Sequence, residues 1–115
     1  MLPAQNRLKN ERDFAALAKS RKSAYAKLVG LKMRENHLPH SRFGIVVGLK
    51  VHKRAVVRNL VKRRIREVIR PLLPQIKGGY DVMIMALPIA TKAEFPEIKD
   101  QVTLCLQKAG LLPKS

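Results

Sequence analysis

Residues 50–70 read KVHKRAVVRNLVKRRIREVIR. At about 100° per residue, Val57, Val61, Ile65, Val68 and Leu72 fall on one side of a helix that starts near Ala55. Arg58, Lys62, Arg66 and Arg70 recur every four residues along a slowly turning row, with Asn59 and Arg63 beside it. Pro71 and Pro74 are expected to stop this helix near Arg70. A helix that is apolar on one side and cationic on the other needs a partner for the first, and the flanking segments supply a sheet. Arg42–Leu49 (RFGIVVGL) and Tyr80–Leu87 (YDVMIMAL) have the length and the β-branched content of buried strands, and Gly78-Gly79 makes a turn before the second.

Further out, Lys50 to Arg54 forms a basic turn into the helix, and Glu35 to Ser41 is a polar loop holding His37 and His40. Ala24 to Met33 suits one strand, with Tyr25, Val29, Leu31 and Met33 on one side. Asn10 can cap a short helix through about Lys19, with Asp13 in its first turn and Phe14, Leu17 and Ala18 as its apolar face. Downstream, Thr91 and Glu94 have capping-box spacing for a last helix. Its apolar positions are Phe95, Ile98, Val102, Cys105, Leu106 and Ala109, and Gly110 suits the residue just past its end. Helices alternating with strands over residues 1–115 imply one α+β domain, a two-layer α/β sandwich with helices covering one sheet face. Three strands are legible.

The charge balance narrows the partner. Lysine and arginine total 24 against 8 acidic residues, a formal charge of +16. An excess of this size points to a polyanion. No apolar run approaches the roughly 20 residues that span a bilayer, and Met1 to Lys9 holds no signal-like apolar stretch. With a single cysteine besides, the expected location is the cytoplasm, with no membrane partner and no small-molecule substrate. Aromatic residues are only 4% of the chain, too few for a broad base-stacking platform, so phosphates are the favoured target.

The helix carries the binding chemistry. Arg54, Arg58, Lys62, Arg63 and Arg66 offer guanidinium or ammonium groups to phosphate, and Asn59 offers both a donor and an acceptor to a base edge or 2′-hydroxyl. Like charges four residues apart destabilise a helix by a few tenths of a kcal/mol per pair; Glu67 relieves only part of this. A solvated charged face is the plainer alternative, but such faces normally mix signs. Arg7 and Lys9 near the N-terminus, and Lys50 and Lys53 in the turn, complete the candidate RNA-binding set. No catalytic side chains are expected. His37, His40 and His52 match no zinc spacing, Cys105 belongs to an apolar helix face, and Glu11 and Asp13 suit helix capping and dipole pairing better than a metal site.

Ala55 to Glu67 (AVVRNLVKRRIRE) matches the pattern AVxRNxxKRxxRE, and Arg7-Leu8-Lys9 followed by Asp13-Phe14 matches an RLKxxxDF opening. In these stretches the chain resembles the bacterial ribonuclease P protein family. The resemblance implies a four-stranded sheet in the order αβββαβα with a left-handed βαβ crossover. It also implies that Mg2+-dependent chemistry resides in a catalytic RNA, which the protein binds while a central cleft contacts the 5′ leader of precursor tRNA. By position it assigns Arg58, Asn59, Lys62, Arg63 and Arg66 to the RNA-binding helix surface, and Phe14 and Tyr25 to the leader cleft. From the residues alone, Phe14 reads as core and Tyr25 as core edge or RNA contact. The chain departs from many relatives in two places: Leu17 and Ala18 stand where a second aromatic is common, and Gly48-Leu49-Lys50 stands where Ser-Lys-Lys is common.

Other functions remain to be separated. A structural RNA-binding protein such as a ribosomal protein fits the charge and size. A protein-only nuclease needs clustered carboxylates that the 8 scattered acids do not obviously provide. A DNA-binding role lacks a helix-turn-helix pattern.

Overall fold

The computed structural model describes residues 2–113. Met1, Lys114 and Ser115, the ends of the domain drawn over 1–115, lie outside the described residues. In chain order the elements are α1 (Glu11–Ala18), β1 (Ser23–Tyr25), β2 (Val29–Glu35), β3 (Arg42–Val46), α2 (Ala55–Leu72), β4 (Tyr80–Ala86) and α3 (Phe95–Lys108), with 3-10 turns at Ala4–Asn6, Leu73–Gln75 and Pro88–Lys92. This is the αβββαβα order. The four-stranded sheet runs β1-β2-β4-β3. β2 is antiparallel to β1 and β4, while β3 and β4 are parallel and joined through α2.

The fourth strand comes from a segment whose alternation looks continuous. Ala24–Met33 is not one strand but parts of β1 and β2, folded back at Ala26–Leu28, where the Ala26 amide donates to the Val29 carbonyl at 2.9 Å. Tyr25 pairs with Gly30 across the hairpin. It therefore shares the face of Gly30, opposite that of Val29, Leu31 and Met33. The tight turn contains neither Gly nor Pro, so nothing punctuates it in the sequence.

The main core lies between one sheet face and α2 with α3. Val29, Leu31, Phe43, Val82 and Ile84 meet Val61, Ile65, Val68 and Ile69 of α2 and Ile98, Val102 and Leu106 of α3. α1 lies on the other sheet face. There Leu8 and Leu17 close over Met83 in a separate small cluster joined by Phe14 and Met85. The expectation that all helices cover one face is thus corrected: two build the second layer, and α1 shields part of the opposite face.

Asn10 caps α1, its side chain accepting from the Arg12 amide at 2.9 Å. Gly110, at φ +79°, follows α3 in the left-handed region that glycine enters without strain. Two boundary expectations fail. Pro71 sits inside α2, which continues to Leu72: near a helix end a missing N–H and one distorted turn are tolerable. Thr91 does not cap α3. Its hydroxyl donates to the Pro88 carbonyl at 3.1 Å within the preceding 3-10 turn, and α3 begins at Phe95 with Pro96 in its first turn.

Candidate nucleic-acid interface

α2 is held by its apolar side, which leaves the side opposite turned to solvent. Val61, Ile65, Val68 and Ile69 are buried, whereas Arg54, Asn59, Arg63 and Arg70 are exposed and Arg58, Lys62 and Arg66 are half-buried. Among the described residues none of these cations sits in an ion pair, because the salt bridges involve only Asp13 and Asp81 as acids. Arg64 turns the other way, donating to the Ala93 carbonyl at 3.2 Å and tying α2 to the segment before α3. On the outward face Val56, Asn59, Leu60, Arg63 and Arg66 line a shallow groove of 490 Å³. Val56 is 79% exposed there.

Arg58 has a structural task that its spacing did not reveal. Its guanidinium donates to the backbone carbonyls of His52 at 2.9 Å and Lys53 at 2.6 Å. The Arg54 amide donates to His52 Nδ1 at 3.0 Å. Together these bonds fold the basic turn against the first turn of α2, with Lys50, Lys53 and Arg54 exposed around it. The candidates Lys50, Lys53, Arg54 and Arg58 are therefore contiguous, and Asn59, Lys62, Arg63 and Arg66 continue them along α2.

Phe14 and Tyr25 both lie on the sheet face that α1 only partly covers. A Cβ at Gly44 would collide with the Phe14 ring, and one at Gly30 would lie 2.6 Å from the Tyr25 ring. Each aromatic thus rests in a gap that glycine leaves in the sheet. Phe14 is half-buried against the small cluster of α1, while Tyr25 is 52% exposed. Between them, Val46 is 38% exposed and Met85 is half-buried, both on this face by strand register. These four side chains border an open apolar floor running across the strands. It reaches from the β3 edge, where the chain leads into the basic turn, to the β1 edge.

A charged clamp seats α1 beside that floor. Arg42 makes a bidentate pair with Asp81, Nε to Oδ1 at 2.8 Å and Nη2 to Oδ2 at 2.7 Å, and reaches Asp13 of α1 at 3.4 Å. Asn36 adds a bond to Asp81 Oδ1 at 3.0 Å, and Arg34 approaches Asp13 at 3.6 Å. Burial pushes the Asp81 carboxyl up, but the hydrogen bonds from Arg42 and Asn36 and the charges of Arg42 and Arg34 outweigh it and hold the group below the usual carboxylate range. The same hydrogen bond raises Arg42 despite its partial burial. This network was missed. Its one sequence signal is Asp81 itself, a carboxylate inside the apolar run YDVMIMA.

The remaining candidates are more dispersed. Arg7 is half-buried, its backbone forming a parallel bridge with Phe43, and Lys9 is exposed just before α1. Cys105 is buried between α3 and the β1–β2 hairpin, its thiol donating to the Ala24 carbonyl at 3.4 Å. Burial pushes that thiol up to about 11, against a smaller opposing effect of Lys108, so it is an inert core group. Among the described residues no three His, Cys, Asp or Glu side chains converge as a metal site, and no helix is long and apolar enough to cross a membrane.

A family model described as Ribonuclease P matches residues 2–110. The chain belongs to the ribonuclease P protein family. A ribonuclease P protein component from a Pseudanabaena species is 36% identical over 113 residues, covering 97% of each chain. One from Xanthomonas campestris is 35% identical over 111 residues, covering 96% of this chain and 74% of the relative. Among solved structures, the ribonuclease P protein of Staphylococcus aureus superposes with a TM-score of 0.85 at 27% identity, covering 93% of this chain and 97% of that one. That of Thermotoga maritima gives 0.80 at 28%, covering 89% and 96%. Ribonuclease P is a ribonucleoprotein endoribonuclease of tRNA 5′ maturation, in which this family is the protein subunit, so the partner class is RNA.

Proposed function

We propose that this chain binds the catalytic RNA of ribonuclease P through the outer face of α2 and the Lys50–Arg54 turn, and holds the 5′ leader of precursor tRNA on the floor bordered by Phe14, Val46, Met85 and Tyr25. The observation that carries the reading is a run of cations, from Lys50 to Arg66, with no ion pair among the described residues, contiguous with an open apolar sheet face. Phosphates satisfy the first and unstacked bases the second. The floor carries no base-reading hydrogen-bond donor of its own apart from Tyr25, so it suits contact by stacking and apolar packing, tolerant of sequence.

In this reading the chemistry belongs to the RNA and its Mg2+. The protein's buried carboxylate does not fit a metal role, because Asp81 is taken up by Arg42 and Asn36, and Asp13 by Arg34 and Arg42. The protein instead supplies positive charge and position. Added cations substitute for part of the metal-ion screening that apposed RNA strands require. The test is cleavage of precursor tRNA at low Mg2+ by a bacterial ribonuclease P RNA, with and without the protein. Stimulation that requires the RNA, with no cleavage by protein alone, is expected. Cleavage by metal-replete, RNA-free protein would overturn the reading.

A further inference from the structure

The turn between α1 and β1 reads Lys19-Ser20-Arg21-Lys22. It is firmly built. The Ser20 hydroxyl donates to the Met33 carbonyl at 2.6 Å and accepts from the Lys22 amide at 3.2 Å. The Lys19 and Ser20 amides donate back to α1, and the Met33 amide donates to the Lys22 carbonyl at 3.0 Å. Lys19, Arg21 and Lys22 are all exposed, and none has an ion pair among the described residues. Arg21 and Lys22 share a depression with Ser20, Met33, Arg34 and Glu35, where Glu35 is the lone acid. Lys32 stands beside the turn with its ammonium on the Ala18 carbonyl at 2.7 Å.

This patch lies at the β1 edge of the sheet, opposite the β3 edge that leads into the basic turn. Along the β1–β2 pair, the open-face positions run from Tyr25 and Gly30 to Ser23 and Lys32, then to the level of Arg34. The open-face cations beyond Tyr25 are therefore Lys32, held on the Ala18 carbonyl, and then Arg34, which approaches Asp13, with Lys19, Arg21 and Lys22 in the turn alongside them. The floor crosses four strands at about 4.8 Å spacing, roughly 14 Å. Only a few nucleotides fit that length, so a longer strand must leave over an edge. The β3 edge adjoins the surface assigned to the catalytic RNA, and the β1 edge is left.

Resting on the function proposed above, we propose that Lys19, Arg21 and Lys22 form a second phosphate-binding site, which holds the leader backbone upstream of the nucleotides lying on the floor. The test compares holoenzyme carrying wild-type protein with holoenzyme carrying Lys19→Ala, Arg21→Ala and Lys22→Ala together. Binding is measured for one precursor with a leader ending within the floor and one with a leader extended beyond it. The triple variant should lose on the order of ten-fold affinity for the long-leader precursor only, with a salt slope shallower by about two. Its affinity for the catalytic RNA and its melting temperature should not change. The exchange variant Lys19→Arg, Arg21→Lys, Lys22→Arg should keep the long-leader advantage. Equal losses on both precursors, no loss on either, or loss of catalytic-RNA affinity would each overturn the site while leaving the broader function standing. Failure of the wild-type protein to stimulate cleavage at all would overturn both.

Discussion

Asp81 shows how one side chain couples stability to the site. It is fully buried, yet it is held ionised by a bidentate arginine that also reaches α1. Because its carboxyl sits below the usual range in the folded state, its contribution is present above the unfolded carboxylate value, about 3.9, and is lost as pH falls through the folded value. Asp81→Asn should therefore destabilise the protein at neutral pH by about 3 kcal/mol, since it leaves a partly buried guanidinium with only the longer Asp13 contact as its charge partner. It should also flatten the acid limb of a stability-versus-pH curve followed by chemical denaturation; an unaltered acid limb would remove Asp81 from the linkage. Phe14 is a second coupled residue. It packs on Gly44 and against the small cluster under α1, so it stands at the border between that core and the open sheet face. Phe14→Ala should weaken holoenzyme binding of precursor tRNA more than of mature tRNA, and equal losses would make it core alone.

At the scale of elements, α2 divides its cations by task. Arg63 is exposed and without an ion pair among the described residues, while Arg58 fastens the basic turn through two carbonyls. Arg63→Ala should reduce the salt slope of RNA binding by about one unit without moving the melting temperature. Arg58→Ala should weaken binding by more than its slope change accounts for, because Lys50, Lys53 and Arg54 lose their common geometry; matching effects from both variants would deny Arg58 its structural role. The amphipathic period of α2 was legible in the sequence because one side chain in three or four must be apolar to reach the sheet, and the structure buries Val61, Ile65 and Val68 as that period requires. The β1–β2 hairpin was not legible, since Ala26-Lys27-Leu28 carries no turn residue and the alternation runs on through it in appearance. The cap at Asn10 was readable from a local rule, whereas the misjudged start of α3 turned on Pro96 setting the first turn in place of a Thr91 cap. The floor itself could not be read, because Val46, Met85 and Tyr25 come from three strands whose register no local pattern records.

At the scale of the molecule, charge and topology pull in different directions. A net +16 on one small domain repels itself, and salt screens that repulsion. Raising NaCl from about 50 mM to about 500 mM, across which the screening length falls well below the domain's dimensions, should raise the melting temperature of the free protein while weakening its RNA binding. A melting temperature that fell with salt would mean that the few ion pairs around Asp81 outweigh the general repulsion. The sheet order carries a different consequence. β4 is the last strand in the chain and yet lies between β2 and β3, pairing with both. During synthesis β1 and β2 can form their hairpin early, but β3 has no strand neighbour and α2 no finished sheet to lie on until residues 80–86 have emerged. The polycationic helix is thus made before the scaffold that orders it, and a nascent chain halted short of β4 carries the full charge of the proposed binding surface without its shape.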